Sequence, residues 1–302
     1  MATRQPRRQG YGLIRILRRL FLIVVAVCLV GAAAVGWMVV REFNANLPSV
    51  EPIVQYHPPV TTQVFADDGT LIAEFFSEKR YLVPVDQIPP FVRHAFIAAE
   101  DDGFYRHKGV DAASIVRAFI NNLVAGSKVQ GGSTITQQVV KSLLLSPQKS
   151  YERKIKEIVL SVRLEEALSK DEILGLYLNH IYLGSGSYGV GAAAREYFGK
   201  DLQQITLAEA ALLAGLPQAP SRYSPFNHWP EAKARQRYVL NRMYEVNFIT
   251  REERDAALLQ PIALATRKGS FRAAPYFVEL VRQTLEERYG HDAVYEVEHM
   301  SR

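Results

Sequence analysis

The chain has 302 residues, 48% of them hydrophobic, with a formal net charge of +5 and a pI near 9.2. That length allows one large domain or two small ones, and the apolar content suffices for a globular core plus a membrane segment. The excess charge is not a nucleic-acid surface. Arg4, Arg7, Arg8, Arg15, Arg18 and Arg19 precede the first acid, Glu42, and removing these six from 36 basic residues leaves 30 against 31 acidic.

Residues 1–19 therefore read as a basic cytoplasmic tail. Residues 20–40 carry no charge, and these 21 residues would span ~31 Å as a helix, enough to cross a bilayer. The arginines before them place the N-terminus in the cytoplasm, and Trp37 suits an interfacial anchor. Ala32-Ala33-Ala34 offers a small-residue cleavage site. The apolar run continues past it to Val40, so an uncleaved anchor is expected. The one cysteine, Cys28, lies in this run, and no intrachain disulfide can form. No Cys/His cluster has zinc spacing.

Residues 41–89 read as a stalk followed by a hairpin. Pro48, Pro52, Pro58 and Pro59 predict extended backbone over 41–60. Residues 62–66 and 71–76 are strand-like and flank an Asp-Gly turn at Asp68-Gly69. Residues 90–250 are mostly helical. Ser169 with Glu172 forms a capping box, followed by Ile173, Leu174, Tyr177 and Leu178 on one face. Asp171 and Glu172 then read as structural. Residues 251–302 hold one or two amphipathic packing helices, with no strong signal after Tyr289.

The run Gly131-Gly132-Ser133-Thr134-Ile135-Thr136-Gln137-Gln138 crowds glycines, hydroxyls and amides together. It shows little apolar periodicity. Free N–H groups, short hydroxyls and close backbone approach suit a polyhydroxylated or phosphorylated ligand. The plainer alternative is a glycine-rich loop with Ser133 capping a helix.

Glu100 ends the largely apolar run 91–99. Partial desolvation and a helix C-terminus both disfavour its charge and would raise its pKa, as a general base requires, while the residue taken alone also reads as an ordinary acidic surface position. Asp101 reads as a capping or supporting residue, and Phe104 and His107 as holding the next turn. Lys149, Arg153, Lys154 and Lys156 crowd a helix start capped by Ser150. Cations there oppose the helix dipole at ~0.3–1 kcal/mol each; a bound anion is the simplest explanation, and a solvated basic face is the plainer alternative. Glu157 lies four residues after Arg153, on the same side and at the border of an expected buried stripe of Ile155, Ile158, Val159 and Val162, and taken alone it reads as a salt-bridge partner. Residues 110–124 and Leu143-Leu144-Leu145 are apolar enough for either core or a membrane-facing surface.

Five segments occur in order: Glu100-Asp101-Asp102-Gly103-Phe104-Tyr105-Arg106-His107-Lys108-Gly109, the glycine-rich run, Arg153-Lys154-Ile155-Lys156-Glu157, Lys170 to Asn179, and Arg235 to Met243. In order and spacing they resemble the motifs of the peptidoglycan glycosyltransferases, glycosyltransferase family 51. The resemblance covers residues 60–290 and is similar to the N-terminal half of class A penicillin-binding proteins. It implies a mainly α, lysozyme-like, two-lobed transglycosylase domain with a small β-hairpin and one N-terminal transmembrane helix.

The resemblance also implies polymerisation of lipid II into β-1,4 glycan strands on the outer face of the cytoplasmic membrane, with inversion and release of undecaprenyl diphosphate. Glu100 becomes the catalytic base and Glu157 the second catalytic carboxylate, acting directly or through a divalent cation, Mg or Mn. No cofactor is obligatory. Arg117, Lys141 and Lys149, with Arg153, fall at the phosphate site, and Ser133, Thr134, Gln137 and Gln138 on the sugar–pyrophosphate groove. Asn179 and Arg235 read as structural. Expected partners are lipid II, the growing strand, the membrane and cell-wall elongation or division proteins, with no nucleic acid. The Ser146-Pro147-Gln148-Lys149 match lacks a Lys-Thr-Gly partner, so no transpeptidase activity is expected. A truncated bifunctional enzyme and a stand-alone transferase both fit, and a lytic murein enzyme or a non-enzymatic scaffold are the rival functions.

Overall fold

The structure, a computed structural model, describes residues 20, 31, 47–56, 59–125, 131–146, 150–266 and 275–295. The expected anchor over 20–40, with Trp37, is outside these residues apart from Leu20 and Gly31, as is Lys149. Among the described residues no helix is long and apolar enough to cross a membrane. The elements below lie within the compact unit Val50–Arg302.

The unit is mainly helical. A short helix, α1 (Glu51–Val54), precedes β1 (Thr62–Phe65), β2 (Leu71–Phe75) and β3 (Lys79–Arg80). The predicted extended stalk is thus interrupted. Pro52 sits in the first turn of α1, where its missing N–H is harmless, and Ile53 is buried. The hairpin forms as the sequence predicts. β1 and β2 pair antiparallel with an irregularity between Val64 and Phe65, and Gly69 takes the positive φ of 81° that the turn needs.

The core follows from helical periodicity. In α2 (Pro90–Glu100), Val92, Ala95 and Phe96 are fully buried at i, i+3 and i+4. Each large side chain of this kind contributes ~1.5–3 kcal/mol of burial. They pack on α8 (Leu207–Ala214), buried from Ala208 to Ala214, and on α9 (Trp229–Glu245). A second group sets α4 (Ile135–Leu143) against α5 (Tyr151–Ala167) and α6 (Lys170–His180). Here Ser169 and Glu172 make the expected capping box, and Ile173, Leu174, Tyr177 and Leu178 are buried. β4 (Ser187–Tyr188) pairs parallel with β3 and leads into α7 (Gly189–Phe198).

Three expectations are corrected. The glycine-rich run is loop only to Thr134 and then becomes α4, an amphipathic helix burying Ile135, Val139 and Val140. Its cap is Thr134 rather than Ser133. Thr134 and Gln137 form a capping box, and Thr134 Oγ1 also donates to the Gly109 carbonyl at 2.7 Å, a tertiary bond that selects this hydroxyl. The buried stripe of α5 is Glu157, Leu160, Ser161 and Leu164, while Ile155 and Val162 are exposed.

The last described elements are α10 (Arg251–Leu259), α11 (Pro275–Tyr289) and α12 (His291–Tyr295). The chain after Tyr289 returns to the hairpin. Val294 is buried, its carbonyl accepts from Thr62 Oγ1 at 2.8 Å, and Ser77 N–H donates to the Tyr295 carbonyl at 3.3 Å. In α3 (Ala112–Ala125), Ile115, Val116 and Leu123 are exposed, so the core reading fails for them.

Candidate active site

A cleft of about 930 Å³ opens between the end of α2, α3, the loop before α4, the start of α5 and α9. Eight of the ten catalytic and substrate-binding candidates line it: Glu100, Arg117, Ser133, Thr134, Gln138, Lys141, Arg153 and Glu157. Gln137 stands behind the wall, fully buried, with its amide oxygen accepting from Thr134 N–H at 3.1 Å in the cap. Lys149 lies outside the described residues.

Glu100 is placed by its helix. The apolar face of α2 fixes the helix, and its last residue projects into the cleft. Burial pushes the Glu100 carboxyl above the ordinary carboxylate range. The Gln138 amide and the Arg235 charge oppose that shift, and Asp101 adds to it. Gln138 Nε2 donates to Glu100 Oε2 at 2.9 Å. Asp101 is a support, as expected. Its carboxylate accepts from Ile135 N–H at 3.0 Å at the start of α4 and lies 2.9 Å from His107 Nε2. Phe104 is fully buried edge-on to His107, at 6.2 Å between centroids. This locks the α2 end to the α4 start and sets Glu100 opposite Gln138.

The opposite wall is cationic. Ser150 caps α5, accepting from Arg153 N–H at 3.0 Å. Arg153 lines the cleft and makes no ion pair among the described residues. Lys156 instead pairs with Glu152 at 2.7 Å along the helix surface, so the solvated-face reading holds for that lysine. Glu157 is 2% exposed and its carboxylate is bound by Lys154, whose ammonium also donates to Ser133 Oγ at 2.9 Å. Lys154, not Arg153, is therefore the partner of Glu157. Its i, i+3 spacing was the available signal. Arg117 lies 3.6 Å from Asp102, which Arg242 also binds.

Two motif residues diverge. Asn179 is structural, donating to the Val83 and Gly175 carbonyls and accepting from Val83 N–H. Arg235 was expected to be structural as well, yet it lines the cleft. A divalent ion would have to sit at Glu157. Among the described residues no group of three or more His, Cys, Asp or Glu could hold one, and the Lys154 ammonium already flanks that carboxylate. The described donors alone do not build a cation cage, and no step below passes through a metal.

A carboxylate with a raised pKa facing cations at a helix N-terminus can take a proton from a hydroxyl while an anionic group leaves on the other side. The chain belongs to the transglycosylase family, which matches residues 68–244. It is 42% identical over 281 residues to penicillin-binding protein 1A of Neisseria meningitidis serogroup A, covering 92% of this chain and 35% of that one. It is 43% identical over 274 residues to penicillin-binding protein 1A of Escherichia coli K12, covering 90% and 32%. The crystal structure of penicillin-binding protein 1A from Haemophilus influenzae overlays with a TM-score of 0.45 at 31% identity, over 80% of this chain and 26% of that one. The chain thus spans about a third of the length of the curated relatives it matches.

Proposed function

We propose that this chain is a peptidoglycan glycosyltransferase that joins lipid II units into β-1,4 glycan strands. The observation that carries the reading is Glu100, a carboxylate held above its ordinary pKa and set across one cleft from Arg153, Lys154 and the N-terminus of α5.

Glu100 Oε accepts the proton of the acceptor sugar hydroxyl as that oxygen attacks the anomeric carbon of the donor. The new C–O bond forms on the face opposite the diphosphate, so the configuration inverts. The bond from the anomeric carbon to the phosphate oxygen breaks, and its electron pair leaves with undecaprenyl diphosphate. Arg153, Lys154 and Lys141 receive that charge, together with the free N–H groups of α5. Glu157 holds Lys154 in place and so acts on the departing diphosphate through it. Gln138 orients Glu100, and Ser133 offers its hydroxyl to the sugars, while the Thr134 hydroxyl stays committed to Gly109 and the α4 cap.

The lysozyme-like two-lobed architecture belongs to this reading, as do the anchor over 20–40 and a position on the outer face of the cytoplasmic membrane. The exposed Ile115, Val116 and Leu123 of α3 support it, because a lipid-linked substrate must be received near a bilayer. A lytic murein enzyme would not need the cationic wall, since its leaving group is a sugar. A scaffold would not need Glu100.

Labelled lipid II separates the three. Polymer formation supports the transferase, and breakdown of sacculi without polymer would replace it with a lytic enzyme. Neither product would leave the scaffold.

A further inference from the structure

Arg235 is built into the cleft in a way that packing alone does not explain. Its guanidinium stacks over the ring of Tyr238 at 4.2 Å and lies 5.9 Å from that of Tyr223. Its stem runs against Gly215. That glycine has an ordinary φ of −78°, so the backbone does not demand it. A Cβ added there would sit 2.7 Å from Arg235 Cγ. The missing side chain makes room for this arginine.

The charge of Arg235 is left unquenched. Lys154, Arg117 and Arg242 are each matched to a carboxylate. Among the described residues Arg235 makes no salt bridge, and its Nε is buried without a hydrogen-bond partner. Aromatic faces hold a guanidinium in place without neutralising it. The helix that carries it, α9, packs directly on α2, whose last residue is Glu100.

We propose that Arg235 is a positioning residue for the reaction, a fixed and uncompensated cation that keeps the Glu100 carboxylate ionised and ready to accept a proton. This rests on the reading of Glu100 as the base. Burial works against that base, because a carboxyl pushed too high would already be protonated when substrate arrives. Gln138 counters burial by direct contact. Arg235, which lines the same cleft as Glu100, does so through its charge.

The test is the pH dependence of lipid II polymerisation at subsaturating substrate for the wild type, Arg235→Met, Arg235→Lys and Gly215→Ala, with melting temperature measured on each. Arg235→Met should move the acid limb to higher pH, with at least a roughly threefold loss of rate on that limb. Arg235→Lys should return the limb toward the wild-type position. Gly215→Ala should move it in the same direction as Arg235→Met, because it displaces the charge without deleting it. If Arg235→Met does not fold, the lysine and alanine variants carry the same comparison.

A structural role alone would lower the melting temperature and the whole profile without moving the limb, and that result would overturn the proposal. Glu100→Gln is run alongside. If it retains turnover, the base assignment fails. If it is inactive while the Arg235 variants keep the wild-type limb, only the present inference fails.

Discussion

Replacing Lys154 by methionine should destabilise the fold, although it removes a cation from a helix N-terminus. Glu157 is 2% exposed, and Lys154 is its ion-pair partner. Removing one member of a buried pair costs ~3–5 kcal/mol, because the remaining charge stays uncompensated. The Lys154 side chain is itself 43% exposed, so water already screens part of the attraction and the loss shrinks to roughly 2 kcal/mol. Relief of the helix dipole returns about 0.3–1 kcal/mol. A net destabilisation of about 1–2 kcal/mol follows. Urea unfolding of the wild type, Lys154→Met, Glu157→Gln and the double variant measures it. In the Glu157→Gln background no charge needs a partner, so Lys154→Met should cost little, leaving a coupling energy of ~1 kcal/mol or more. Equal losses in both backgrounds would refute the pairing on which the cationic wall is built.

Arg153→Ala should behave oppositely in stability. It relieves the same dipole conflict without stranding a carboxylate, so melting temperature should hold or rise slightly while turnover falls through loss of a charge-assisted contact worth ~1.5–3 kcal/mol. A fall in both would make Arg153 structural. Because burial raises the Glu100 pKa, the rate should fall as pH drops through a value above the ordinary glutamate range, and Gln138→Leu should move that limb higher still. An unmoved limb in the pH profile of Gln138→Leu would separate Gln138 from the base. Deleting residues 1–40 should reduce activity on full-length lipid II more than on a short-chain analogue, and equal losses on the two substrates would argue against a membrane-localising role.

The parts of the fold that were legible in the sequence are those with local causes. Ser150 and Ser169 cap their helices as expected, since an N-cap needs only its own hydroxyl and the next turn. The Asp-Gly turn fixed the hairpin for the same reason. At the α4 cap, only Thr134 has a glutamine three residues on, so the Thr134–Gln137 capping box was a local signal that favoured it over Ser133. The contact of Thr134 with the Gly109 carbonyl, 25 residues away, reinforces that choice.

The face of α5 was misjudged because burial there is set by neighbours. A Cβ on Gly109 would lie 2.7 Å from the Ser161 carbonyl and 2.8 Å from the Val162 nitrogen, so the loop of the first motif rests on the α5 backbone there, and it is the Ser161 side chain that is buried. The docking of α12 on the hairpin joins residues more than two hundred positions apart, and nothing near Val294 announces it. Within the site, Glu100 was legible as a carboxylate ending an apolar helix. Arg235 was not, because its value depends on Tyr223, Tyr238 and Gly215 meeting around it.

The most direct test of the account is turnover of labelled lipid II by Glu100→Gln, a nearly isosteric change that removes basicity. General-base catalysis is typically worth 10²–10⁴-fold, and a loss of that size is expected. The same change should raise the melting temperature at neutral pH. A carboxyl whose pKa is raised on folding stabilises the fold below its unfolded pKa and loses that contribution as pH rises through the folded one, so the gain should vanish in acid. Polymer at more than about a tenth of the wild-type rate would contradict the assignment of Glu100 as the base.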